Sequence, residues 1–361
     1  MTSQSHMMEM LLARPPYGLA QKEKAALYGT ELSRLTRSHR EQCTEYRDIL
    51  SGLARDASTD QGAAEQPFLP VRMFKEFALK SITDNNIHKT MTSSGTSGQQ
   101  VSKIFLDKTT AANQTKVLAK IVTDLIGPKR LPMLVIDAKE TVKDRQNFSA
   151  RGAGILGFSL FGRDVTFALD ADMWPNWDRI GAFAEKYTGQ ETFIFGFTSI
   201  IFQHFMQPLL EQNIKLDLAS ATLLHGGGWK KLEALAVDNT QYKGMLSKAA
   251  GISRVHNYYG MVEQTGSIFV ECAEGHLHCS NFSDIIIRDE TLAPATAGTK
   301  GLVQLLSLLP ESYPGHSILS EDIGEILGED DCACGRKGKY FRIYGRAKAA
   351  EARGCSDTYA A

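Results

Sequence analysis

Long apolar runs are missing from this chain. No stretch approaches the roughly 18–20 apolar residues needed to cross a bilayer, so no membrane span is expected. The opening Met1-Thr2-Ser3-Gln4-Ser5-His6-Met7 has neither the basic start nor the apolar core of a secretion signal. Charge of one sign is missing too. Forty Lys and Arg stand against 41 Asp and Glu, a net of −1, so the concentrated basic face that nucleic acid or an anionic membrane requires is not expected. Cysteine is scarce, six in 361 residues, which excludes a disulfide scaffold and makes a reducing, cytoplasmic setting the expectation. Each thiol then has to be explained by packing, metal or chemistry. What remains is an ordinary globular mix, 43% hydrophobic and 22% charged, which excludes collagen-like and disordered classes. The length exceeds one small core and falls short of three ordinary domains.

Local patterning divides the chain. Residues 1–66 read as a helical N-terminal segment, with Leu32, Leu35, Tyr46, Ile49, Leu50 and Leu53 at helical spacing. Residues 56–65 read as an exposed linker, and Pro67-Phe68-Leu69-Pro70 starts a new element. Over 67–266 short apolar strands alternate with amphipathic helices. Val117, Leu118, Ile121, Val122 and Leu125 share one helical face, ended by Gly127-Pro128. Met133–Ile136, Thr192–Phe197 and Ala221–His225 read as buried strands, with helices expected at 177–187 and from Thr198. Such alternation predicts an α/β core with parallel sheets flanked by helices, whose ligands bind beyond the carboxyl ends of the strands. Residues 267–346 predict a β-rich subdomain, and 347–361 a mobile tail.

Several residues carry chemistry. Thr92-Ser93-Ser94-Gly95-Thr96-Ser97-Gly98 puts five hydroxyls and two glycines between strand-like segments, a composition that lets backbone and short donors approach phosphate, or simply a polar turn. It is not a Walker loop. Gly226, Gly227 and Gly228 end a buried strand, where a flat base fits, or a tight turn. Glu263 follows a glycine turn, as a magnesium ligand would, or lies on a helix surface. Asp322 suits a ribose or an acidic turn, and Arg346 a phosphate, a ribose or a surface ion pair. Cys332-Ala333-Cys334 sits in a loop rich in Gly and Asp, and Cys272 precedes His276, His278 and Cys279. Cys272, His278, Cys332 and Cys334 form one candidate zinc set of Cys3His type, with His276 and Cys279 as alternative ligands and plain thiols as the other reading. Cys43 reads as a packing residue.

Taken in order, these phrases resemble the adenylate-forming superfamily and, within it, the bacterial acyl-protein synthetases of the lux fatty acid reductase system. The resemblance is carried by Pro70-Val71-Arg72-Met73-Phe74-Lys75, Ser93–Gln99, Ala150-Arg151-Gly152-Ala153-Gly154, Gly196-Phe197-Thr198 and His225–Lys231. It continues through Tyr258–Gln264, Ser312-Tyr313-Pro314-Gly315 and Arg353-Gly354-Cys355-Ser356-Asp357. It implies ATP-dependent activation of a carboxylic acid, of the fatty class, to acyl-AMP with release of pyrophosphate. Thr92, Ser93, Ser94, Gly95, Thr96, Ser97 and Gly98 would hold the phosphates, Gly226–Gly228 and Tyr259 the adenine, and Glu263 magnesium. Asp322 would hold the ribose hydroxyls and Arg346 the ribose or phosphate. Gly152, Gly157, Phe195, Gly196 and Phe197 would line the acyl pocket, or belong to the core.

The resemblance further implies that Cys355 carries the acyl group to a partner reductase; Arg353 nearby favours its thiolate. Related phenylacetate-ligase-like proteins have a similar Cys…His and Cys-x-Cys-Gly-Arg layout, which favours the zinc set. Two departures stand out. Gln99 and Gln100 follow the phosphate loop where a lysine is usual, the nearest lysine being Lys103. Superfamily members continue past the Gly-Arg motif into a lid domain with a catalytic lysine, whereas 15 residues follow Arg346, so the expected fold lacks a full C-terminal lid. Transfer to coenzyme A, a carrier-protein thiol or an amine is the rival enzymatic reading, and a silent scaffold within a reductase complex the non-enzymatic one. Association as a homo- or hetero-oligomer stays open.

Overall fold

The computed structural model describes residues 3–52, 62–93, 100–143 and 150–347. It opens with helices α1 (Ser3–Ala13), α2 (Gln21–Gln42) and α3 (Thr44–Gly52), strand β1 (Leu69–Pro70), the short helix α4 (Met73–Glu76), strands β2 (Lys89–Thr92) and β3 (Lys103–Leu106), and the long helix α5 (Lys108–Ile126). An alternating stretch follows: β4 (Leu131–Ala138), α6 (Ala150–Ser159), β5 (Gly162–Leu169), α7 (Trp177–Lys186) and β6 (Thr192–Phe197). After α8 (Thr198–Ile201) and α9 (Gln207–Glu211) come β7 (Ala221–Gly226), α10 (Asn239–Ala250) and β8 (Arg254–Tyr259). The last strands are β9 (Phe269–Glu271), β10 (Leu277–His278), β11 (Ser283–Arg288), β12 (Lys300–Ser307), β13 (Ser317–Glu329) and β14 (Lys339–Arg346). Among the described residues no helix is long and apolar enough to cross a membrane.

These elements form two compact units, one drawn from residues 1–93, 98–124 and 260–351, the other from 94–97, 125–259 and 352–361. The 125–259 unit is the expected α/β layer. Its strands lie in the order β8-β7-β6-β4-β5, and each printed pairing among them is parallel. The physical reason is legible: β6 and β7 are buried along their whole length, as strands covered on both faces must be. Local signals set the helix ends. Asn176 caps α7 by accepting the Arg179 N–H, Asp238 and Gln241 make a capping box on α10, and left-handed Gly251 (φ 72°) closes it.

The other unit is antiparallel, in the order β11-β12-β13-β14-β10-β9, and β1 adds to it parallel to β13. The N-terminal helices belong to this unit rather than standing apart from it. Tyr28, Leu32, Leu35 and His39 of α2 are buried on one face, as their 3–4 residue spacing requires. Cys43, Tyr46 and Leu50 join Leu69, Phe74 and Ile318 in one apolar cluster, so Cys43 is a packing residue. A buried ion cluster ties the helix to the sheet: Lys24 Nζ lies 3.8 Å from Asp284 Oδ1, and Lys339 Nζ and Gln21 Nε2 reach Asp284 Oδ2 at 3.3 and 2.9 Å.

Candidate active site

The antiparallel unit gathers several of the residues singled out from sequence. β2 and β3 pair with Thr92 opposite Lys103, so the two strands form a stem for the hydroxyl-rich loop. Beyond Thr92, the Ser93 N–H donates to Ser102 O (3.1 Å) and the Ser102 N–H to Ser93 Oγ (2.9 Å), which closes that stem. Ser94, Gly95, Thr96, Ser97 and Gly98 lie outside the described residues.

Glu263 occupies a single helical turn, Val262–Gln264, and is buried. It is therefore not the surface glutamate of the alternative reading. Burial pushes its carboxyl above the ordinary range, and the Ser102 hydroxyl and the charges of Lys75 and Arg346 pull the other way. Its backbone is held as firmly as its side chain. Tyr313 Oη donates to Glu263 O (2.8 Å), and Gln264 Nε2 donates to Leu305 O (3.1 Å) and Gly315 O (2.9 Å). Gly315 is glycine for a steric reason, since a Cβ there would stand 2.9 Å from Glu263 O. Asp322 on β13 lies opposite Arg346 on β14 in the sheet register, and Arg346 Nη1 is 3.8 Å from Glu321 Oε2. Glu263, Asp322 and Arg346 thus come from separate parts of the sequence into one unit, where the Arg346 charge reaches Glu263.

A second constellation in the same unit is made of soft donors. β10 pairs antiparallel with both β9 and β14, so the turn after β9 and the turn before β14 meet around it. Ligand atoms of Cys272, His278, Cys332 and Cys334 all lie within 4.8 Å of one another. Cys272 Sγ and Cys332 Sγ are 4.0 Å apart, and Cys334 Sγ is 3.4 Å from His278 Nε2. A zinc–sulfur bond of about 2.3 Å makes tetrahedron edges of roughly 3.8 Å, so the donor set fits a tetrahedral ion in both chemistry and spacing. His276 stands outside this quartet, with Nδ1 3.5 Å from Cys332 Sγ and its ring stacked on Tyr340 at 5.0 Å. Cys279 is buried and faces the charges of Lys24 and Asp284.

The parallel unit places the glycine turn at the carboxyl end of β7. Gly226 sits opposite Phe197 on one side and Tyr258 on the other, and the Tyr258 ring lies where a Cβ of residue 226 would be. Gly227 has a φ of 76°, which a side chain would strain. Tyr259, the residue expected beside the base, is the half-buried last residue of β8. Behind the turn, Thr198 Oγ1 donates to Gly226 O (3.1 Å) and meets His225 Nδ1 at 2.9 Å. Burial drives the His225 pKa down to about 3, so its ring is neutral.

The residues expected to line an acyl pocket divide between sheet faces. Phe195 and Phe197 share one face, with Phe158 of α6 stacked on Phe195 at 4.3 Å and Gly154 leaving room for the Phe197 ring. Gly196 points to the other face, towards Ile136 and Ile201. Gly152 is buried on α6 and Gly157 half-buried. Arg151, unremarked from sequence except as part of a phrase, makes a buried two-pronged bond to Asp137: Nε to Oδ2 at 2.7 Å and Nη2 to Oδ1 at 2.6 Å. Cys355 lies outside the described residues.

Comparison with known proteins completes the description. The fold resembles that of a 2-hydroxyisobutyryl-CoA ligase in an open conformation with 2-HIB-AMP and CoA, at TM-score 0.67 and 14% identity over 91% of this chain and 76% of that one. For the postadenylation state of that ligase with 2-HIB-AMP the TM-score is 0.68, again at 14% identity, over 91% and 69%. At such identity the likeness is one of fold. No curated protein sequence matches. The family model described as acyl-protein synthetase, LuxE, matches residues 1–361; the chain belongs to that family and is an adenylate-forming ligase, using ATP to activate an acid as its acyl-adenylate and transferring the acyl group.

Proposed function

We propose that the acid is a fatty acid and that the acyl group passes to the enzyme's own Cys355 for delivery to a partner reductase. The observation that carries the adenylation site is the convergence of Glu263, Asp322 and Arg346 in one unit that also holds the stem of the hydroxyl-rich loop. In the first half-reaction a carboxylate oxygen of the acid bonds to the α-phosphorus of ATP, the bond to the bridging oxygen breaks, and pyrophosphate leaves. Residues 92–98 cradle the phosphates, Asp322 accepts hydrogen bonds from the ribose hydroxyls, and Arg346 balances charge at the phosphate or ribose. Gly226–Gly228 and Tyr259 flank the adenine. Glu263 is the magnesium ligand: a buried carboxylate beside a hydroxyl offers the hard oxygen donors that ion prefers, and the ion would neutralise phosphate charge. Gly152, Gly157, Phe195, Gly196 and Phe197 are the proposed acyl-binding residues.

In the second half-reaction the Cys355 thiolate attacks the acyl carbonyl carbon, the bond to the AMP oxygen breaks, and AMP departs. The thiol proton is lost to solvent beforehand, which Arg353 favours. Support for this step comes from the family and from the Arg353-Gly354-Cys355-Ser356-Asp357 phrase. Cys272, His278, Cys332 and Cys334 are proposed to hold a structural zinc.

The deciding experiment uses Cys355→Ser. Pyrophosphate exchange into ATP with the cognate acid is expected to persist within about twofold. Stable acylation of the protein, read by intact mass, is expected to fall at least a hundredfold, because a serine hydroxyl is a far weaker nucleophile than a partly ionised thiol. Undiminished acyl label on Cys355→Ser would move the acceptor to coenzyme A, a carrier thiol, an amine or another residue.

A further inference from the structure

Ser102 closes the stem of the hydroxyl-rich loop with its backbone alone: its N–H goes to Ser93 Oγ and its carbonyl takes the Ser93 N–H. Its side chain is not used in that clasp. The residue is wholly buried, and its hydroxyl makes no hydrogen bond of acceptable geometry. A buried hydroxyl in that state opposes folding, since it has given up its bonds to water for nothing in return. Alanine at this position would keep both backbone bonds and remove the penalty, so the fold gives no reason for the oxygen.

The neighbourhood does. The hydroxyl stands beside the buried Glu263 carboxylate, near enough to act on its charge. Around the pair are the positive charges of Lys75 and Arg346, and Tyr313 and Gln264 fix the Glu263 backbone. The backbone of the glutamate is therefore immobilised, whereas the rotation of its carboxylate is governed by whatever meets its oxygens. Carboxylates that ligate ions are commonly oriented by a second, non-ligating donor.

We propose that Ser102 is a positioning residue of the adenylation site. Its hydroxyl is held unpaired at the foot of the loop so that it donates to one oxygen of Glu263 when metal-bound nucleotide arrives, turning the other oxygen to the cation. The proposal rests on Glu263 being the magnesium ligand. It couples the loop that takes the phosphates to the side chain that takes the ion, through one residue that belongs to both.

The test uses full-length protein with ATP, measured by calorimetry with and without magnesium, and by thermal unfolding. Ser102→Ala should unfold at the same temperature as the parent or higher, and bind metal-free ATP unchanged. Its magnesium-dependent gain in ATP affinity should fall about tenfold or more. Ser102→Thr, which keeps the oxygen, should recover most of that gain, and Ser102→Ala should add nothing on a Glu263→Gln background. A full magnesium-dependent gain in Ser102→Ala would overturn the proposal, as would a Ser102→Ala protein that fails to fold, since the hydroxyl would then serve the fold. If Glu263→Gln leaves the parent's magnesium-dependent gain intact, the reading of Glu263 fails first and Ser102 falls with it.

Discussion

Inside the parallel unit the sheet is lined by rings and branched chains, with Phe193, Ile194 and Phe195 on β6 and Leu223 and Leu224 on β7 all buried. The antiparallel unit buries Lys24, His39, Gln114, Glu263, Gln264, Asp284, Gln304 and His316. Its polar groups bond across long sequence separations, as Gln304 does with Arg288 (2.7 Å) and Ser317 (2.9 Å). Apolar packing is tolerant of partner and depends mainly on volume. A buried polar network is not tolerant: every member must meet its partner in direction and distance, or costs stability. The difference explains where the chemistry sits. Glu263, the soft-donor quartet and the Asp322–Arg346 pair lie in the unit whose interior already specifies orientation.

The largest expected effect breaks the polar unit at its ligand quartet. If zinc joins Cys272, His278, Cys332 and Cys334, chelator-washed protein retains close to one equivalent by metal analysis, and Cys334→Ser loses it. The unfolding midpoint then drops by roughly 10 °C, because the turns on either side of β10 lose their cross-link. Metal-free protein of undiminished stability would return these residues to plain thiols.

Next comes the apolar unit. Phe195 is wholly buried, and Phe195→Ala should cost about 3–5 kcal/mol in denaturant unfolding through the cavity it leaves. Phe195→Leu should recover much of the loss, as a volume-governed core requires. Equal damage from both variants would show that β6 needs a ring and not merely volume.

Acid should separate the units more gently. His39 and His316 stack at 5.0 Å inside the antiparallel unit. His39 bonds Ser81 Oγ (2.7 Å) and Pro310 O (3.0 Å), and His316 bonds Thr36 Oγ1 (2.9 Å). Burial lowers the His39 pKa to about 3 and that of His316 well below its ordinary value. Both rings are neutral when folded and take protons when unfolded. Their stability contribution is whole above the unfolded pKa near 6.5 and shrinks as pH falls from there towards the folded values, by about 2 kcal/mol for His39 at pH 5. His39→Gln should flatten the fall in midpoint between pH 7 and pH 5; an unchanged slope would remove His39 from the linkage.

The smallest effect concerns ligand alone. Asp322→Ala should weaken ATP binding about tenfold, the worth of one charge-assisted bond to ribose, while leaving the unfolding midpoint in place. Unaltered affinity in the folded variant would remove Asp322 from the nucleotide site.

Much of the parallel unit was legible in the chain. The strand read at Thr192–Phe197 is β6 with the same bounds, and Ala221–His225 is β7 one residue short, since a continuous apolar run is a local signal. Gly127 and Gly251 end helices by left-handed backbone, also a local property. The adenylate-forming order of phrases, and with it the family and the α/β class, was likewise carried by residues in sequence. Local pattern could not say that His278 and not His276 joins the thiol quartet, because that follows from the pairing of β10 with both β9 and β14. Nor could it say that Tyr258 lies over Gly226, that Glu263 is buried, or that Ser102 stands beside it. Each of these depends on which side chains long-range strand register and packing bring together, and adjacency along the chain carries no record of that.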